Sequence, residues 1–340
     1  MTARFGVVNV NGTGHSVTST LIFAADRAGI GAAARVLGEG GLVAFPTETV
    51  YGLGADATDA RAVARLYEAK GRPAFNPLIA HVADVAAARR AGEFTPLAEK
   101  LAAKFWPGPL TLVVPATTIV CALARAGLPS VALRVPAHAL AQKLLAAFAK
   151  PVAAPSANRS GHVSPTSVEH VLADLSQRID AVLDGGPTPL GLESTIIDCT
   201  GGAPLLLRPG GVPRGDIEKA LGVKVADAPR TDAIAPQSPG RLASHYATRA
   251  RIRPNASEVK PGEAFLNFGG GHLAGIDGAR AVLDLSPEGD LAEAAANFFS
   301  HLRALDASGA EVIAVAPIPQ QGLGEAMNDR LTRGAAPRST

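Results

Sequence analysis

The chain has 340 residues, 47% of them hydrophobic and 18% charged, which excludes a disordered chain and supplies a sizeable core. A net charge of +2 argues against the strong positive field of a dedicated nucleic-acid-binding domain. Cys121 and Cys199 are the only cysteines and lie far apart, so neither a disulfide framework nor a zinc motif is expected. Apolar stretches are too short to span a membrane and no secretory signal is evident, so we expect a cytoplasmic protein without membrane contacts.

The first two thirds of the chain predict an α/β domain. Residues 1–18 are polar and predict a loose arm with one strand at 5–10, and residues 46–49 predict a turn that 51–54 continue. Predicted strands cover 42–45, 78–82, 110–114, 131–135, 152–154, 181–183 and 195–199. Predicted helices cover 24–37, 60–69, 83–91, 97–105, 139–148, 167–175 and 214–221. Because several strands follow short connections, this order favours a twisted mixed sheet with helices over a regular parallel sheet.

The last third of the chain predicts a second, smaller unit. Residues 224–248 are rich in Pro and Gly and carry little apolar periodicity, which is typical of a linker. Strands at 264–268, 281–285 and 312–316 alternate with helices at 291–305 and 324–333, a pattern that predicts a small Rossmann-like domain. The domain boundaries that we predict are an arm at 1–18, a main domain at 19–222, a linker at 223–249 and a C-terminal domain at 250–340.

Two pairs of polar residues, each pair two positions apart, follow segments that are otherwise predicted to be buried. Lys70 and Arg72 follow a predicted helix, and Ser156 and Asn158 follow a short apolar strand. Polar groups at the ends of rigid elements are where α/β proteins place their chemistry, and a Lys and an Arg two residues apart suit phosphate oxygens. The alternative for the two cations is a solvated helix end, where positive charge is mildly stabilising.

Strand-end arginines strengthen the case for an anion pocket. Arg134 lies near the end of the apolar run at 131–135, and Arg208 follows the apolar run at 205–207. A charge on such a strand needs a buried acidic partner or a cavity with an anionic ligand, and for Arg134 both interpretations remain open. His81 ends the strand after Lys70 and Arg72, where a structural histidine is the commoner alternative.

Seven segments in this order resemble the YrdC-like threonylcarbamoyl-AMP synthase family. They are FPTETVYGLGADAT at 45–58, KGRPAFNPLIAHV at 70–82, WPGPLTLV at 106–113, VALRVPAH at 131–138, APSANRSGHVSPT at 154–166, DGGPTPLGLESTIID at 184–198 and LLRPGGV at 206–212. The resemblance covers about residues 19–222. Ser238-Pro239-Gly240, His245-Tyr246-Ala247 and the run GEAMNDR at 324–330 resemble the long form of the family, which carries a C-terminal Rossmann-like domain.

The resemblance implies a fold, a reaction and a set of site residues. The implied fold is a twisted α/β sheet around a concave cavity. The implied reaction joins ATP, L-threonine and bicarbonate into threonylcarbamoyl-AMP and pyrophosphate, with Mg²⁺ accompanying ATP and no organic cofactor or protein-bound metal. The ATP-binding residues that it implies are Lys70, Arg72, Asn76, Ser130, Ser156, Asn158, Ser164, Arg208 and Tyr246, with Lys70, Arg72, Ser156 and Asn158 as the catalytic set. The threonine-binding residues that it implies are Thr49, His81, Arg134 and Ser194.

Partner enzymes in such a pathway transfer the threonylcarbamoyl group to a tRNA adenosine, and a weak direct contact with tRNA is left open. One alternative function is a nucleic-acid-binding module, against which the weak charge and the 4% aromatic content count. A second alternative is a related carbamoyl-adenylating enzyme with a different amine substrate. Such enzymes usually carry acylphosphatase-like and zinc-finger segments, which this chain lacks.

Overall fold

A computed structural model describes residues 19–229 and 246–336 of the chain. The strand predicted at 5–10, and the linker residues 230–245 with His245, lie outside the described residues. Strands of the first part are β1 Leu21–Phe23, β2 Val43–Pro46, β3 Tyr51–Asp56, β4 Ile79–His81, β5 Leu110–Pro115, β6 Ser130–Arg134, β7 Val152–Ala153, β8 Ala181–Leu183, β9 Thr195–Asp198, β10 Leu205–Arg208 and β11 Ala226–Asp227. Its helices are α1 Arg27–Gly38, α2 Ala60–Lys70, α3 Val85–Ala91, α4 Pro96–Phe105, α5 Ala139–Phe148, α6 Val168–Leu175 and α7 Arg214–Leu221.

The strands of the first part form one mixed sheet in the order β1-β8-β2-β3-β7-β4-β6-β5-β9-β10-β11. Five neighbouring pairs are antiparallel: β2 with β3, β3 with β7, β7 with β4, β6 with β5, and β9 with β10. The remaining pairs run parallel. The predicted mixed sheet with flanking helices is therefore confirmed.

Strand β3 is the clearest difference from the sequence prediction, which placed a turn at 51–54. Every residue of β3 is buried, and the strand pairs with β2 and β7. Its glycines allow this close approach, because a Cβ on Gly54 would lie 2.9 Å from the Phe45 ring and from the Val152 side chain. A Gly-rich run that reads as a turn is thus a strand packed tightly between its neighbours. The short strands β1 and β11 were also not predicted.

The last part of the chain forms a separate parallel sheet with helices. Its strands are β12 Arg251–Arg253, β13 Ala264–Asn267, β14 Ala281–Asp284 and β15 Val312–Val315, in the order β12-β15-β13-β14. Its helices are α8 Leu291–Ala307 and α9 Leu323–Gly334, with a 3₁₀ turn at Ile276–Gly278. This arrangement confirms the predicted Rossmann-like domain and adds β12. The predicted domain boundaries themselves stay a prediction.

Helix starts follow local chemistry. Asp26, Asp59, Asp84 and Asp290 each accept a backbone N–H of the following turn, which stabilises a helix N-terminus by about 1 kcal/mol. Gly71 ends α2 in the left-handed conformation at φ 60°, where glycine carries no steric penalty. This turn leads the chain from Lys70 directly to Arg72. Among the helices of residues 19–229 and 246–336, none has the length and apolar character that a membrane crossing needs.

Candidate active site

A polar cavity opens where several strands of the main sheet end. Strands β4 and β6 run parallel, and their last residues, His81 and Arg134, are register partners. Parallel strands that end together present their side chains to one crevice, which is where open α/β sheets bind ligands. The empty space between the cavity walls is about 550 Å³, part of it open to solvent. Its lining consists of Thr47, Thr49, Val50, Gly52, Arg72, Ile79, His81, Arg134, Ala154, Pro155, Ser156, Glu193, Ser194, Arg208 and Tyr246.

The sequence left two interpretations of Arg134 open, a buried acidic partner or a cavity for an anionic ligand. The structure shows both. Nη2 of Arg134 lies 2.7 Å from Oε1 of Glu48, and both side chains are largely buried. Nη1 donates to Oγ1 of Thr49 at 3.0 Å, and Nε donates to the carbonyl of Gly108 at 3.2 Å. Burial alone would raise the pKa of Glu48, but the guanidinium of Arg134 lowers it. Glu48 therefore stays ionised and holds Arg134 against the cavity wall.

Arg208 fixes Ser194, a second polar residue of the cavity lining. Nε and Nη2 of Arg208 donate to the carbonyl of Ser194 at 3.2 and 2.9 Å. Nη2 also donates to Oγ of Ser194 at 3.2 Å, and that hydroxyl lies 2.7 Å from Oγ1 of Thr111. Among the described residues Nη1 of Arg208 has no hydrogen-bond partner. The Ser194 hydroxyl is thus oriented from two sides, while one end of the guanidinium remains available.

Arg72 and Lys70 are both buried, so the alternative interpretation of these two cations as a solvated helix end is wrong. Nε and Nη2 of Arg72 donate to the carbonyls of Asn76 and Pro77 at 3.3 and 3.1 Å. Burial lowers the pKa of Arg72 to about 10, still far above neutrality. In the part of the chain that the structure describes, Nη1 of Arg72 makes no hydrogen bond, which leaves it free for a ligand in the cavity.

Lys70 lies beneath the cavity rather than in its wall. Its Nζ donates to the carbonyl of Ser156 at 2.6 Å and to the carbonyl of Asn158. Burial holds the pKa of Lys70 well below its ordinary value, and the charge of Arg72 lowers it further. Lys70 thus ties the end of α2 to the loop after β7, and that loop carries Ser156, which lines the cavity.

His81 is an uncharged wall residue. Burial, together with the nearby charge of Arg134, lowers its pKa to about 3. Its ring meets the Phe45 ring edge-on with centroids 6.3 Å apart. Nδ1 of His81 has no hydrogen-bond partner within the described residues. A neutral imidazole with an unpartnered nitrogen can donate to or accept from a polar ligand.

The cavity also contains a buried acid that sequence reasoning did not assign. Glu193 lines the cavity, and its Oε1 accepts from Oγ of Ser164 at 2.6 Å. Its Oε2 accepts from Nε and Nη2 of Arg330, both at 3.1 Å. Burial alone would raise the pKa of Glu193, but the charges of Arg330 and Arg208 lower it to about 2. The only sequence signal was a charged residue directly before an apolar strand.

The structure brings most of the predicted site residues to one cavity. The predicted residues that line it are Thr49, Arg72, His81, Arg134, Ser156, Ser194, Arg208 and Tyr246. Those that do not line it are Lys70, Asn76, Ser130, Asn158 and Ser164. Ser130 begins β6, about 13 Å along that strand from Arg134 at the usual rise per residue. Asn76 is fully buried, and neither atom of its amide has a partner within residues 19–229 and 246–336.

Asn158 and Ser164 hold the surrounding loops. Nδ2 of Asn158 donates to the carbonyls of Arg159 and His162, both at 2.8 Å, which closes the turn after Ser156. Oδ1 of Asn158 is buried and has no hydrogen-bond partner in the described part of the chain. Ser164 stands behind Glu193 as its hydrogen-bond donor. Both therefore lie one contact away from the cavity lining.

Comparisons with known proteins account for this arrangement. Residues 35–210 match a Sua5/YciO/YrdC family model described as "Telomere recombination". Residues 212–336 match the model described as "Threonylcarbamoyl-AMP synthase, C-terminal domain". Threonylcarbamoyl-AMP synthase of Pyrococcus abyssi is 43% identical over 318 residues, which span 90% of this chain and 94% of the relative. The Bacillus subtilis enzyme of the same name is 40% identical over 91% of this chain and 93% of its own length.

The structural comparison agrees with the sequence comparison over nearly the whole length. The crystal structure of P. abyssi Sua5 complexed with L-threonine superposes with a TM-score of 0.85 at 39% sequence identity. The match covers 93% of this chain and 98% of that one, so it includes both sheets. The resemblance inferred from the seven motif segments is therefore confirmed, and the chain belongs to the threonylcarbamoyl-AMP synthase family in its long, two-domain form.

Proposed function

We propose that this chain synthesises L-threonylcarbamoyl-AMP and pyrophosphate from ATP, L-threonine and bicarbonate, and that the cavity at the ends of β4 and β6 is its active site. The observation that carries the proposal is the convergence of three buried guanidiniums, from Arg72, Arg134 and Arg208, on one cavity. Buried like charges are unfavourable unless an anion or acidic partners compensate them. A triphosphate together with a carboxylate supplies that compensation.

The phosphates of ATP fit the side of the cavity that Arg72 and Arg208 form. Each guanidinium is held by backbone carbonyls through Nε and Nη2, and each keeps Nη1 for a ligand. Fixed donors of this kind stabilise developing phosphate charge without reorganising during the reaction. Ser156 lies at the same wall, on the loop that Lys70 fixes. We therefore assign Lys70 to positioning this loop rather than to direct phosphate contact.

Other residues that we predicted to bind the nucleotide do not line the cavity, and each has a different place in this proposal. The unpartnered amide of Asn76 supports a ligand contact, because a buried amide without a hydrogen bond is costly. The unpartnered Oδ1 of Asn158 supports one for the same reason. For Ser130 the predicted nucleotide contact stays a prediction, and we assign Ser164 an indirect role through Glu193.

L-Threonine fits the side formed by Arg134 and its neighbours. Arg134 is the fork for the carboxylate, and Thr49, His81 and Ser194 supply hydroxyl and imidazole groups around it. The P. abyssi relative, which shares this architecture, was crystallised in complex with L-threonine. Neutral His81 suits this position, since a charged imidazole would add a fourth positive charge to the cavity.

The chemistry that follows is phosphoryl-group substitution by an N-carboxylated threonine. The neutral threonine amine adds to the carbon of CO₂ and releases a proton to solvent, or adds to bicarbonate with loss of water, and either route gives the carbamate. A carbamate oxygen then attacks the α-phosphate, and the bond from that phosphorus to pyrophosphate breaks as pyrophosphate leaves. Such a transfer depends mainly on positioning and on neutralising charge, and needs no covalent enzyme intermediate. On this basis the enzyme is a nucleotidyltransferase. Loss of one charge-neutralising group costs about 3 kcal/mol of barrier, by analogy with the loss of an oxyanion-hole donor.

Magnesium is part of the nucleotide substrate in this proposal. Within the described residues no cluster of three or more His, Cys, Asp or Glu side chains is arranged to hold a metal ion. Glu193, the acid that lines the cavity, already accepts from Ser164 and Arg330 through its two oxygens. We therefore expect Mg²⁺ to arrive with ATP and to be held chiefly by phosphate oxygens and water.

The proposal also includes macromolecular partners that act after the adenylate has formed. The product is a reactive mixed anhydride, so a transferase must accept its threonylcarbamoyl group, and tRNA adenosine is the acceptor that we expect. The cytoplasmic location expected from the sequence and a weak direct contact with tRNA also stay predictions.

The decisive experiment measures pyrophosphate release from MgATP with L-threonine and bicarbonate, omitting each component in turn. We expect release only with the complete mixture. Release that ignores threonine would overturn the proposal. Salt-dependent tRNA binding without any pyrophosphate release would instead favour the nucleic-acid-binding alternative. Pyrophosphate release with another amine in place of threonine would favour the alternative of a carbamoyl-adenylating enzyme with a different amine substrate.

A further inference from the structure

Arg330, on helix α9 of the C-terminal domain, has a burial that is unusual for its residue type. Its side chain is 0% exposed, and it is the largest fully buried side chain among the described residues. Arginine is almost never fully buried unless it is paired. The contacts that compensate its burial therefore indicate what it does.

All three guanidinium nitrogens of Arg330 have partners, and two of these partners belong to the main sheet domain. Nε and Nη2 donate to Oε2 of Glu193, and Nη1 donates to the carbonyl of Pro209 at 2.7 Å and to Oδ2 of Asp329 at 2.9 Å. Glu193 lies just before β9, and Pro209 directly follows β10. One side chain of the C-terminal domain therefore joins the two segments that carry Ser194 and Arg208.

Tyr246 is held by the same domain from two sides. The guanidinium carbon of Arg330 lies 5.5 Å from the centroid of the Tyr246 ring, within the range of a cation–π contact. The Phe299 ring of α8 stacks on Tyr246 at 5.6 Å and 19°. Tyr246 adopts φ 65°, a conformation that costs energy for a residue with a side chain and persists where its surroundings enforce it.

These contacts converge on one wall of the cavity. Glu193, Arg208 and Tyr246 line it. Arg330 contacts Glu193 and Tyr246, and it contacts Pro209, which lies beside Arg208. This wall is where the proposed function places the nucleotide. By contrast, Arg134, which the proposed function gives to the threonine carboxylate, is held by Glu48, Gly108 and Thr49. Among the described residues, none of α9 forms a hydrogen bond or ion pair with Arg134.

We propose that Arg330 is a positioning residue through which the C-terminal domain arranges the nucleotide side of the cavity, by holding Glu193, Pro209 and Tyr246 in place. The inference rests on the proposed function, since it uses the assignment of that wall to ATP. It gives the second domain a task in catalysis although Arg330 itself does not line the cavity.

A purely structural ion pair is the interpretation that a test must separate from this one. Removing one partner of a buried pair leaves an uncompensated charge and destabilises any protein, whatever its function. A second interdomain ion pair on the same helix provides the control. Nη2 of Arg214 on α7 lies 2.5 Å from Oε1 of Glu325, and neither residue lines the cavity.

The test compares Arg330→Lys and Arg330→Met with Arg214→Met. Lysine keeps the positive charge but loses the fork that binds Glu193 and Pro209 together. We expect both Arg330 variants to raise KM for ATP, and Kd for a non-hydrolysable ATP analogue by calorimetry, about tenfold, with KM for threonine within about threefold. Arg214→Met should leave all three constants at their wild-type values.

Phe299→Leu provides a variant that removes no charge. It takes away the ring behind Tyr246, so we expect a smaller rise in KM for ATP, about threefold, and no change for threonine. This variant keeps the inference testable if the Arg330 variants do not fold, which circular dichroism will show.

The outcomes separate this inference from the proposed function. Wild-type ATP affinity in a folded Arg330 variant, or equal rises in both KM values, would overturn the positioning role; if neither Arg330 variant folds, unchanged ATP affinity in Phe299→Leu overturns it. A wild-type chain that releases no pyrophosphate overturns the proposed function instead, and the calorimetric ATP affinity of the variants still decides the role of Arg330.

Discussion

At the scale of single residues, the cavity contains charged side chains whose orientation is set by their hydrogen-bond and ion-pair partners. Arg134 is held by Glu48 and Thr49, and Arg208 by Ser194, so each guanidinium has a fixed orientation before any ligand binds. Fixed donors of this kind lower a reaction barrier because their orientation is already established in the folded state. The sequence indicated the arginines through their apolar strands, but nothing in it paired Arg134 with Glu48.

Replacing Arg134 with lysine tests the carboxylate fork. Arg134→Lys keeps the charge beside Glu48 but loses two of the three directed nitrogens. We expect kcat/KM for threonine to fall about 100-fold, the usual cost of one preorganised donor, with KM for ATP nearly unchanged. Steady-state pyrophosphate release at varied threonine measures this. Arg89→Lys, which alters the exposed pair with Glu99, should behave as wild type. An unchanged kcat/KM for threonine in Arg134→Lys would exclude the fork.

The buried imidazole of His81 predicts a pH dependence of stability. Its pKa is lowered from 6.5 to about 3, so between these values the unfolded state binds the proton and the folded state does not. Stability should therefore fall as the pH falls through this window, by up to about 1.4 kcal/mol per pH unit from this group. Denaturant unfolding at pH 7, 5 and 4 measures the slope.

His81→Gln removes the titrating group and should reduce that slope, whereas His272→Gln, at an exposed position, should not. A slope that is equal in the wild type and His81→Gln would show that the imidazole titrates alike in both states.

At the scale of elements, glycines allow the main-sheet segments to approach closely enough to form the cavity. Gly54 lets β3 pack between β2 and β7, and the prediction of a turn there failed because glycine permits close approach as well as turns. Gly210, after β10, lies so close to the segment before β9 that a Cβ would come within 2.4 Å of the carbonyl oxygen of Glu193. The sequence shows a glycine at both positions, but it does not show whether that glycine forms a turn or allows close packing.

Gly210→Ala tests this close approach. The added methyl group must displace the backbone of Glu193 and Ser194, so we expect a loss of about 1–3 kcal/mol in unfolding free energy. A displaced Ser194 should also reduce kcat/KM about 100-fold, since small misplacements in an active site are costly. Gly215→Ala on α7 has no atom within 4 Å of the new Cβ and is the matched control. Equal stability and activity in the two variants would contradict the packing.

At the scale of the whole molecule, three buried residues of the first part join the hydrophobic core of the C-terminal part. Val50, Val163 and Leu192 of the first part belong to one buried cluster with residues of α8 such as Phe298 and Phe299. Val50 and Tyr246, which line the cavity, thus pack in the same cluster as residues of the second sheet. The contact of Arg330 with Glu193 lies within this shared region.

Leu192→Ala tests whether the two parts unfold together. The side chain is fully buried in the shared cluster, so its loss should cost about 2–5 kcal/mol. We expect one calorimetric transition in the wild type and one at lower temperature in the variant. Leu21→Ala, whose side chain is 52% exposed on the edge strand β1, should shift the transition little. A second transition that remains at the wild-type temperature would show that the C-terminal sheet unfolds independently.

The sequence by itself determined the family, the mixed sheet, the Rossmann-like second domain and most of the residues at the cavity. These follow from local patterns in the sequence: apolar strands, amphipathic helices, and motifs in which polar residues directly follow an apolar strand. Only the tertiary structure placed Lys70 beneath the loop of Ser156 instead of in the cavity, paired Arg134 with Glu48, and brought Arg330 to Glu193. The physical reason is that burial and charge compensation depend on which distant segments meet, and 137 residues separate the last of these pairs.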